Sequence, residues 1–432
     1  MGASTSMRNS AIHIALLVKR VFFGFFIFAV LAPATAQAQM SLQEAVLKAI
    51  AREPGIEALR QEVAVKAVDI EAARDAYFPT IGLSGETSTT NSNGPGVTLT
   101  VSQVLFDWGQ IRHEIAAKTQ IRIQAMADLK QAIEELTFEV AGYFLDVEVM
   151  AQKIRRTKTY MTFAYRIAEQ AEERSKARLS DVSEVARARL EITRAEDQLS
   201  QLLANREIAL AQLEFLVGQR LGGTLTPPEL RFDRRFNTAD QIRTAIYASP
   251  DYLAAKSAVA EAEAGVKQAK VARFPKIELQ AQGRVDLNGG RTQTALGLTA
   301  GVDLSSRGFG QRRIQAAQLE LKGAQSEVAA VERNLLNSGQ SALKRLGLLR
   351  RSEKSRSIQL IDAEKVLETY EKQFVAGRKE LLDILTTGRD LYDAQIDEID
   401  TYDERKRTEY EAAKDLGVLG TLLLSKRTSR QN

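Results

Sequence analysis

Proline is missing from residues 96–226 and again from 276–432, in a chain of 432 residues with eight prolines. A proline inside a helix costs about 3 kcal/mol, so tracts without it permit helices of unusual length. In the first tract Met126, Leu129, Ile133, Leu136, Val140, Tyr143, Val147, Met150 and Ile154 recur at alternating spacings of three and four. That is the seam of a coiled coil, period near 3.5. It continues through Met161, Ala164, Ala168 and Ala171, where small residues let helices approach closely. Ile314, Ala317, Leu321, Ala324, Val328, Val331 and Leu335 follow the same rule in the second tract. A helix over about 110–175 spans roughly 100 Å at ~1.5 Å per residue. No compact globule needs such a rod, although periodicity alone also fits the core of an ordinary bundle.

The tracts belong to a duplicated sequence. Ile50-Ala-Arg-Glu-Pro54 matches Ile246-Tyr-Ala-Ser-Pro250, and Tyr77-Phe78-Pro79-Thr80-Ile81 matches Arg273-Phe274-Pro275-Lys276-Ile277, both at a shift of 196 residues. Gly109-Gln110 matches Gly310-Gln311 at a shift of 201. Landmarks repeated in order mark two homologous units, expected at 39–217 and 238–424. A linker at 218–237 carries Gly222-Gly223-Thr-Leu-Thr-Pro227-Pro228, and a tail follows at 425–432.

Between the helical tracts the period switches to two. Strands are expected at about 80–90 and 97–106, separated by Asn91-Ser-Asn-Gly-Pro-Gly96, and at about 276–287 and 292–304. Ile81 and Leu83 alternate with polar or small residues, and Val97, Leu99, Val101 and Leu105 oppose Thr98, Thr100 and Ser102. Ile277, Leu279, Ala281, Val285 and Leu287 alternate with Glu278, Gln280, Gln282, Arg284 and Asp286. Leu296, Leu298, Ala300, Val302 and Leu304 alternate with Ala295, Gly297, Thr299, Gly301 and Asp303. Strands of this length, apolar on one face and polar on the other, fit a transmembrane β-barrel. Alternation alone fits an amphipathic sheet on a soluble core equally well. Tyr77, Phe78, Phe106, Trp108, Phe274 and Phe309 fall at the helix-proximal ends of the hairpins, as an interfacial aromatic girdle would. Four strands cannot close a barrel, and open edges in lipid leave backbone groups unpaired. The barrel must then be shared among two, three or four copies.

Arg8, Lys19 and Arg20 precede the apolar run 21–31, and Ala36 and Ala38 fit the −3 and −1 positions of a signal-peptidase site. Residues 1–38 are therefore expected to be a cleaved signal peptide. Their removal takes away those three basic residues and no acidic one, so the formal charge of +4 falls to +1. The basic balance thus gives little support for a nucleic-acid partner. The chain has no cysteine and two histidines, His13 and His113, which excludes disulfide scaffolds, thiolate metal sites and histidine clusters. It has no P-loop, HExxH, GxSxG or calcium-loop pattern. His113 reads as a solvated or capping histidine. The carboxylates sit among Lys and Arg on helical faces. No enzyme, cofactor or metal site is expected.

The duplicated aromatic-Pro, hairpin and long helix resemble the TolC-like outer-membrane channels of Gram-negative efflux and type I secretion. The motifs that carry the resemblance are Tyr77-Phe78-Pro79, Leu105-Phe-Asp-Trp-Gly-Gln110, Phe274-Pro275 and Val375-Ala-Gly-Arg-Lys-Glu-Leu-Leu-Asp-Ile-Leu385. The resemblance implies a mainly α homotrimer with a twelve-stranded outer-membrane barrel continuing into a periplasmic α-helical tunnel. It implies docking with a periplasmic adaptor (membrane fusion) protein and an inner-membrane ABC or proton-driven transporter. The segments near 218–245 and the C-terminal residues would form a belt around the tunnel. It places Phe374, Gly377, Lys379 and Asp383 at the periplasmic tip, with Asp181 at the tip of the first unit. The first tip, Lys176-Ala-Arg178-Leu-Ser-Asp181, lacks the glycine found at Gly377. Thr386 stands where a second acidic residue would double the carboxylate ring, and Phe374 stands in place of a gating tyrosine. Lys379 is then the candidate cationic latch. With no cysteine for a lipid anchor, the expected role is the exit duct of a type I secretion system. The alternatives are the outer-membrane component of a multidrug or metal efflux pump and a periplasmic coiled-coil adaptor or scaffold.

Overall fold

The computed structural model describes residues 40–87, 95–222, 225–287, 292–301 and 310–424. All of these except Met40, Leu221 and Gly222 belong to one compact unit. The expected signal segment with Ala36 and Ala38, the aromatic Phe309, residues 302–304 of the fourth strand and the tail 425–432 lie outside the described residues.

Each repeat runs helix, helix, strand, strand, long helix, shorter helix. The first comprises α1 (Leu42–Arg52), α2 (Pro54–Asp75), β1 (Thr80–Glu86), β2 (Gly96–Phe106), α3 (Gln110–Lys176) and α4 (Val182–Val217). After a short helix α5 (Phe232–Arg235), the second comprises α6 (Ala239–Ile246), α7 (Pro250–Val271), β3 (Lys276–Asp286), β4 (Gln293–Gly301), α8 (Gln311–Val375) and α9 (Leu381–Asp415). A last turn, α10 (Leu419–Leu424), follows. The repeated prolines set the same start twice. Pro54 and Pro250 occupy the first turns of α2 and α7, where a missing N–H is no loss, and Glu53 and Ser249 cap the free amides.

The proline-free tracts form α3 of 67 residues and α8 of 65, each roughly 100 Å long at ~1.5 Å per residue. Both turn back, as α4 and α9. Helix α3 packs along α4, α7, α2 and α9, and α8 along α9 and α7. Of the expected seam on α3, Leu136, Val140, Val147 and Ile154 are buried, while Met126 is half exposed. A second row comprising Ala141, Phe144, Leu145 and Val149 is buried beside it. The apolar stripe is wider than a two-stranded seam because α3 has neighbours on several sides, so it combines a coiled-coil period with a bundle core.

The strands make one antiparallel sheet in the order β1-β2-β3-β4. The two hairpins join through β2 and β3, with Val97 opposite Val285 and Val101 opposite Ala281. A bulge between Val104 and Phe106 shifts the register at the helix-proximal end. Strand β1 is described to Glu86, the expected residues 88–90 lying outside the described ones, and β2 starts one residue early, at Gly96.

Candidate functional site

The pairing register turns the period-two pattern into two continuous faces. On one, Ser84, Thr98, Arg284 and Gln293 line up across four strands, followed by Thr100 beside Gln282 and by Thr80, Ser102 and Gln280. On the other, Leu83 lies opposite Leu99, and Ile81, Val101, Ala281 and Leu296 form the next row. Ile81, Leu83, Leu296 and Leu298 are among the most exposed large apolar side chains of the chain. A sheet with one wet and one apolar face, both uncovered, needs a second apolar phase against the latter. Among the described residues no helix is long and apolar enough to cross a membrane.

At the helix-proximal end Phe106 meets Trp108 edge-on at 4.9 Å, and Trp108 lies 5.0 Å from Phe274. The Trp108 Nε1 donates to the Pro275 carbonyl at 3.0 Å, which ties the two repeats together at this level. Tyr77 and Phe78 are exposed in the turn between α2 and β1. Sequence reasoning missed Asp107. Its carboxylate accepts from the Gly109 amide at 2.9 Å and the Ile111 amide at 2.6 Å, capping α3 after the left-handed pair Trp108 and Gly109. His113 sits in the first turn of α3 and is no cap. Burial, and then Arg112, lower its pKa.

At the opposite end of the long helices, Phe374 is buried among Tyr160, Phe163, Ile167, Leu381 and Ile384. The Arg174 guanidinium lies 4.9 Å from the Phe374 ring centroid and donates to its carbonyl at 3.3 Å. Gly377 turns the chain at φ +70°, in the region that favours glycine. The Lys379 ammonium lies 3.6 Å from Asp383 and 4.2 Å from the Tyr370 ring centroid, so it is already engaged within its own chain. Asp383 also accepts from the Glu380 amide at 3.4 Å, closing a capping box on α9. Asp181 caps α4 through the Ser183 amide at 3.4 Å. By position in its helix the counterpart of Asp383 is therefore Glu184, which sequence reasoning did not single out. Nor did it find Tyr160, stacked on Tyr392 at 4.8 Å and bonded to Glu191 at 3.2 Å.

A third feature holds the linker. The buried Lys406 on α9 reaches Glu229 at 2.8 Å and the Pro228 carbonyl at 3.1 Å, and the Tyr410 hydroxyl donates to the same carbonyl at 2.8 Å. Arg405 joins Glu229 and Glu353, while Arg350 joins Asp233 and the buried Glu409. Burial works against ionisation of Glu229, but the hydrogen bonds from Arg405 and Lys406 outweigh it and hold its pKa at about 2, against an ordinary value of 4.5. A depressed carboxylate stabilises the fold above its unfolded value and loses that contribution as pH falls through its folded one. The contribution of Glu229 is thus full above pH 4.5 and fades toward about 2. Burial raises the pKa of Glu409. None of these clusters groups carboxylates and imidazoles as a metal site would, among the described residues.

The family model described as outer membrane efflux protein matches residues 45–219 and 242–417, one block per repeat. The outer membrane efflux protein BepC of Brucella suis is 25% identical over 395 residues, covering 84% of this chain and 82% of its own. The pyoverdine export outer membrane protein OpmQ of Pseudomonas putida is 26% identical over 331 residues, 72% of this chain and 68% of its own. Among solved structures, VceC of Vibrio cholerae superposes with a TM-score of 0.75 at 15% identity, over 87% of this chain and 96% of its own. CusC superposes with a TM-score of 0.75 at 14% identity, over 88% and 92%. The fold is that of a channel-tunnel built from two repeats.

Proposed function

The chain belongs to the outer membrane efflux protein family, and from that premise we propose that three copies assemble into a passive exit duct. Its place is the outer membrane, with the helical part extending into the periplasm, and members of the family are channels rather than enzymes. The single observation that carries the reading is the sheet. It is apolar on one uncovered face and polar on the other, and its outermost strands β1 and β4 have no further strand beside them among the described residues. Pairing β4 of one copy with β1 of the next removes both edges, and three copies give twelve strands. Helix α3, which leaves β2 through the aromatic corner at Trp108, then continues the same ring as a tunnel together with α8.

Substrate is delivered in this reading by a periplasmic adaptor and an inner-membrane ABC or proton-driven transporter that engage the tip. The cargo we propose is of low molecular weight. Relatives named for efflux and for pyoverdine export support that choice. Type I protein secretion is the second reading, supported by a chain without cysteine and hence without a lipidated one. The mature protein is expected to migrate as a heat-modifiable trimer and to conduct ions in planar bilayers. A monodisperse monomer in plain buffer that conducts nothing would overturn the duct. A deletion strain that accumulates small toxic compounds with an unaltered set of secreted proteins favours the first cargo over the second. Asp383→Ala is expected to weaken block by divalent cations added on the periplasmic side, read as a higher blocking concentration in the same bilayers.

A further inference from the structure

Two hollows meet beside the linker clamp. The larger, about 830 Å³, is lined by α3, α8 and α9, and the smaller, about 260 Å³, by α8, α9 and the linker with its helix α5. Arg350 and Glu353 line both, so the hollows form one groove. Arg155 and Arg156 enter it from α3, Lys354 from α8, and Arg231 and Arg234 from the linker. None of these five cations has an ion pair or a side-chain hydrogen bond among the described residues, and Arg155 acts on Glu148 only through space. The carboxylates of the groove are mostly committed. Glu148 accepts from Gln152 and from the Tyr402 hydroxyl, both at 3.1 Å, and Glu353 accepts from Arg405 at 2.7 Å. Glu229 is held by Arg405 and Lys406. Among the described residues Glu398 is the one lining carboxylate with no partner. Nearby Asp397, Asp400 and Glu404 are taken by Arg356, Lys153 and Arg345, none of which lines the groove. Arg350 pairs with Asp233 and Glu409 through Nη2, and its Nε is buried without a partner.

We infer that this groove binds an acidic saccharide, a hydroxyl-rich chain that bears carboxylates. Four uncommitted guanidiniums supply the planar forks that hold carboxylates in two-point contact, and Lys354 adds a compact charge. The hydroxyls of Thr159 and Ser357 stand beside them as partners for sugar hydroxyls. Ile399 is the one aliphatic side chain in the described lining, so a lipid tail or an amphipathic helix finds no apolar stripe to cover. On α3 the lining runs from Glu148 to Thr159, roughly 16 Å at ~1.5 Å per residue, which is longer than a single oxyanion. The larger hollow lies within the range of small-ligand sites. The inference goes beyond the duct reading and stands on the residues of one chain. Two sources supply this chemistry in the periplasm: the carboxylate-bearing glycan of the cell wall, and free sugar acids.

The test is titration calorimetry of the mature protein in detergent with the disaccharide peptides that muramidase releases from purified cell walls. Wild type is expected to bind them, and an uncharged oligomer of N-acetylglucosamine at least about tenfold more weakly. The double variant Arg155→Gln with Arg156→Gln is expected to lose about tenfold in affinity and Lys354→Gln about threefold. Each variant is first checked for wild-type migration before and after heating. Should the double variant fail that check, Arg231→Gln with Arg234→Gln, on the other side of the groove, is expected to lose about tenfold in its place. A second arm separates the sources. Sedimentation with intact cell walls that the variants lose assigns the polymer, and binding of the soluble fragments alone assigns free sugar acids. Wild type that binds neither, variants that bind as wild type does, or equal affinity for the uncharged oligomer would overturn the groove. So would a poly-glutamate peptide that binds more tightly than the disaccharide peptides, since it makes the ligand an acidic peptide. Trimers that conduct in bilayers yet bind no saccharide would sink the groove and leave the duct. Monomers that bind saccharide and conduct nothing would sink the duct and leave the groove.

Discussion

The two helical tips descend from the same repeat, yet the chain surrounds them differently. Helices α3 and α8 end with matching hydrogen bonds, from Ala177 to Glu173 and from Ala376 to Lys372. Each next residue is left-handed, Arg178 at φ +57° and Gly377 at φ +70°. Beyond that the environments part. At the second tip Phe374 and Leu381, each 1% exposed, are tucked against α3 beneath Arg174. At the first, Ser175 stands in the place of Phe374, and Leu179 and Val182 are 72% and 73% exposed. Duplicated residues therefore make the same turn, but only one turn is anchored. The helix-end bonds fix the corner, and packing decides how tightly it is held.

That contrast can be broken at the anchor. Phe374→Ala is expected to cost about 3–5 kcal/mol, the usual loss for a fully buried ring. Hydrogen exchange should then rise across 370–385 until the second tip opens as readily as the first. Protection that stays unequal would place the anchor elsewhere. Arg174→Met removes a charged hydrogen bond and a cation–π contact and is expected to cost about 2 kcal/mol. Its effect should be confined to the second tip, measured as a shift in thermal midpoint in detergent. Gly377→Ala forces a side chain into the left-handed region and is expected to cost about 1 kcal/mol. The reciprocal change, Arg178→Gly, is the smallest and should stabilise the first tip by up to about 1 kcal/mol, seen as slower exchange at 176–181. Equal and opposite shifts would show that the corner is common to both tips.

Much of the architecture was legible because it depends on local repetition. The proline-free tracts placed both rods, and the period-two stretches placed all four strands, the expected ends at 88–90 and 302–304 lying outside the described residues. The register between hairpins was not legible. It follows from the pairing of Val97 with Val285, which lie far apart in sequence. The linker clamp was hidden for the same reason, since Arg405 and Lys406 lie 176 and 177 positions from their partner Glu229 and carry no mark of burial in the sequence. Charged residues on a helical pattern read as solvated, and Lys406 departs from that rule because Glu229 and the Pro227 and Pro228 carbonyls receive it. At the tip, the sequence pointed to Phe374, Gly377, Lys379, Asp383 and Asp181. The structure brings Lys379 and Asp383 together, and it gives Asp181 a capping place matched by Glu380 rather than by Asp383. The aromatics Tyr77, Phe78, Phe106, Trp108 and Phe274 gather at one end because both hairpins return to it.

A sheet whose outermost members are its own first and last strands cannot complete itself. Under the trimeric reading every copy lends an edge to one neighbour and borrows an edge from the other. The unit that succeeds or fails is then the ring and not the polypeptide. A cell making sound and faulty versions side by side would lose most of its rings to the faulty ones, so damage to this sheet would behave as a dominant trait.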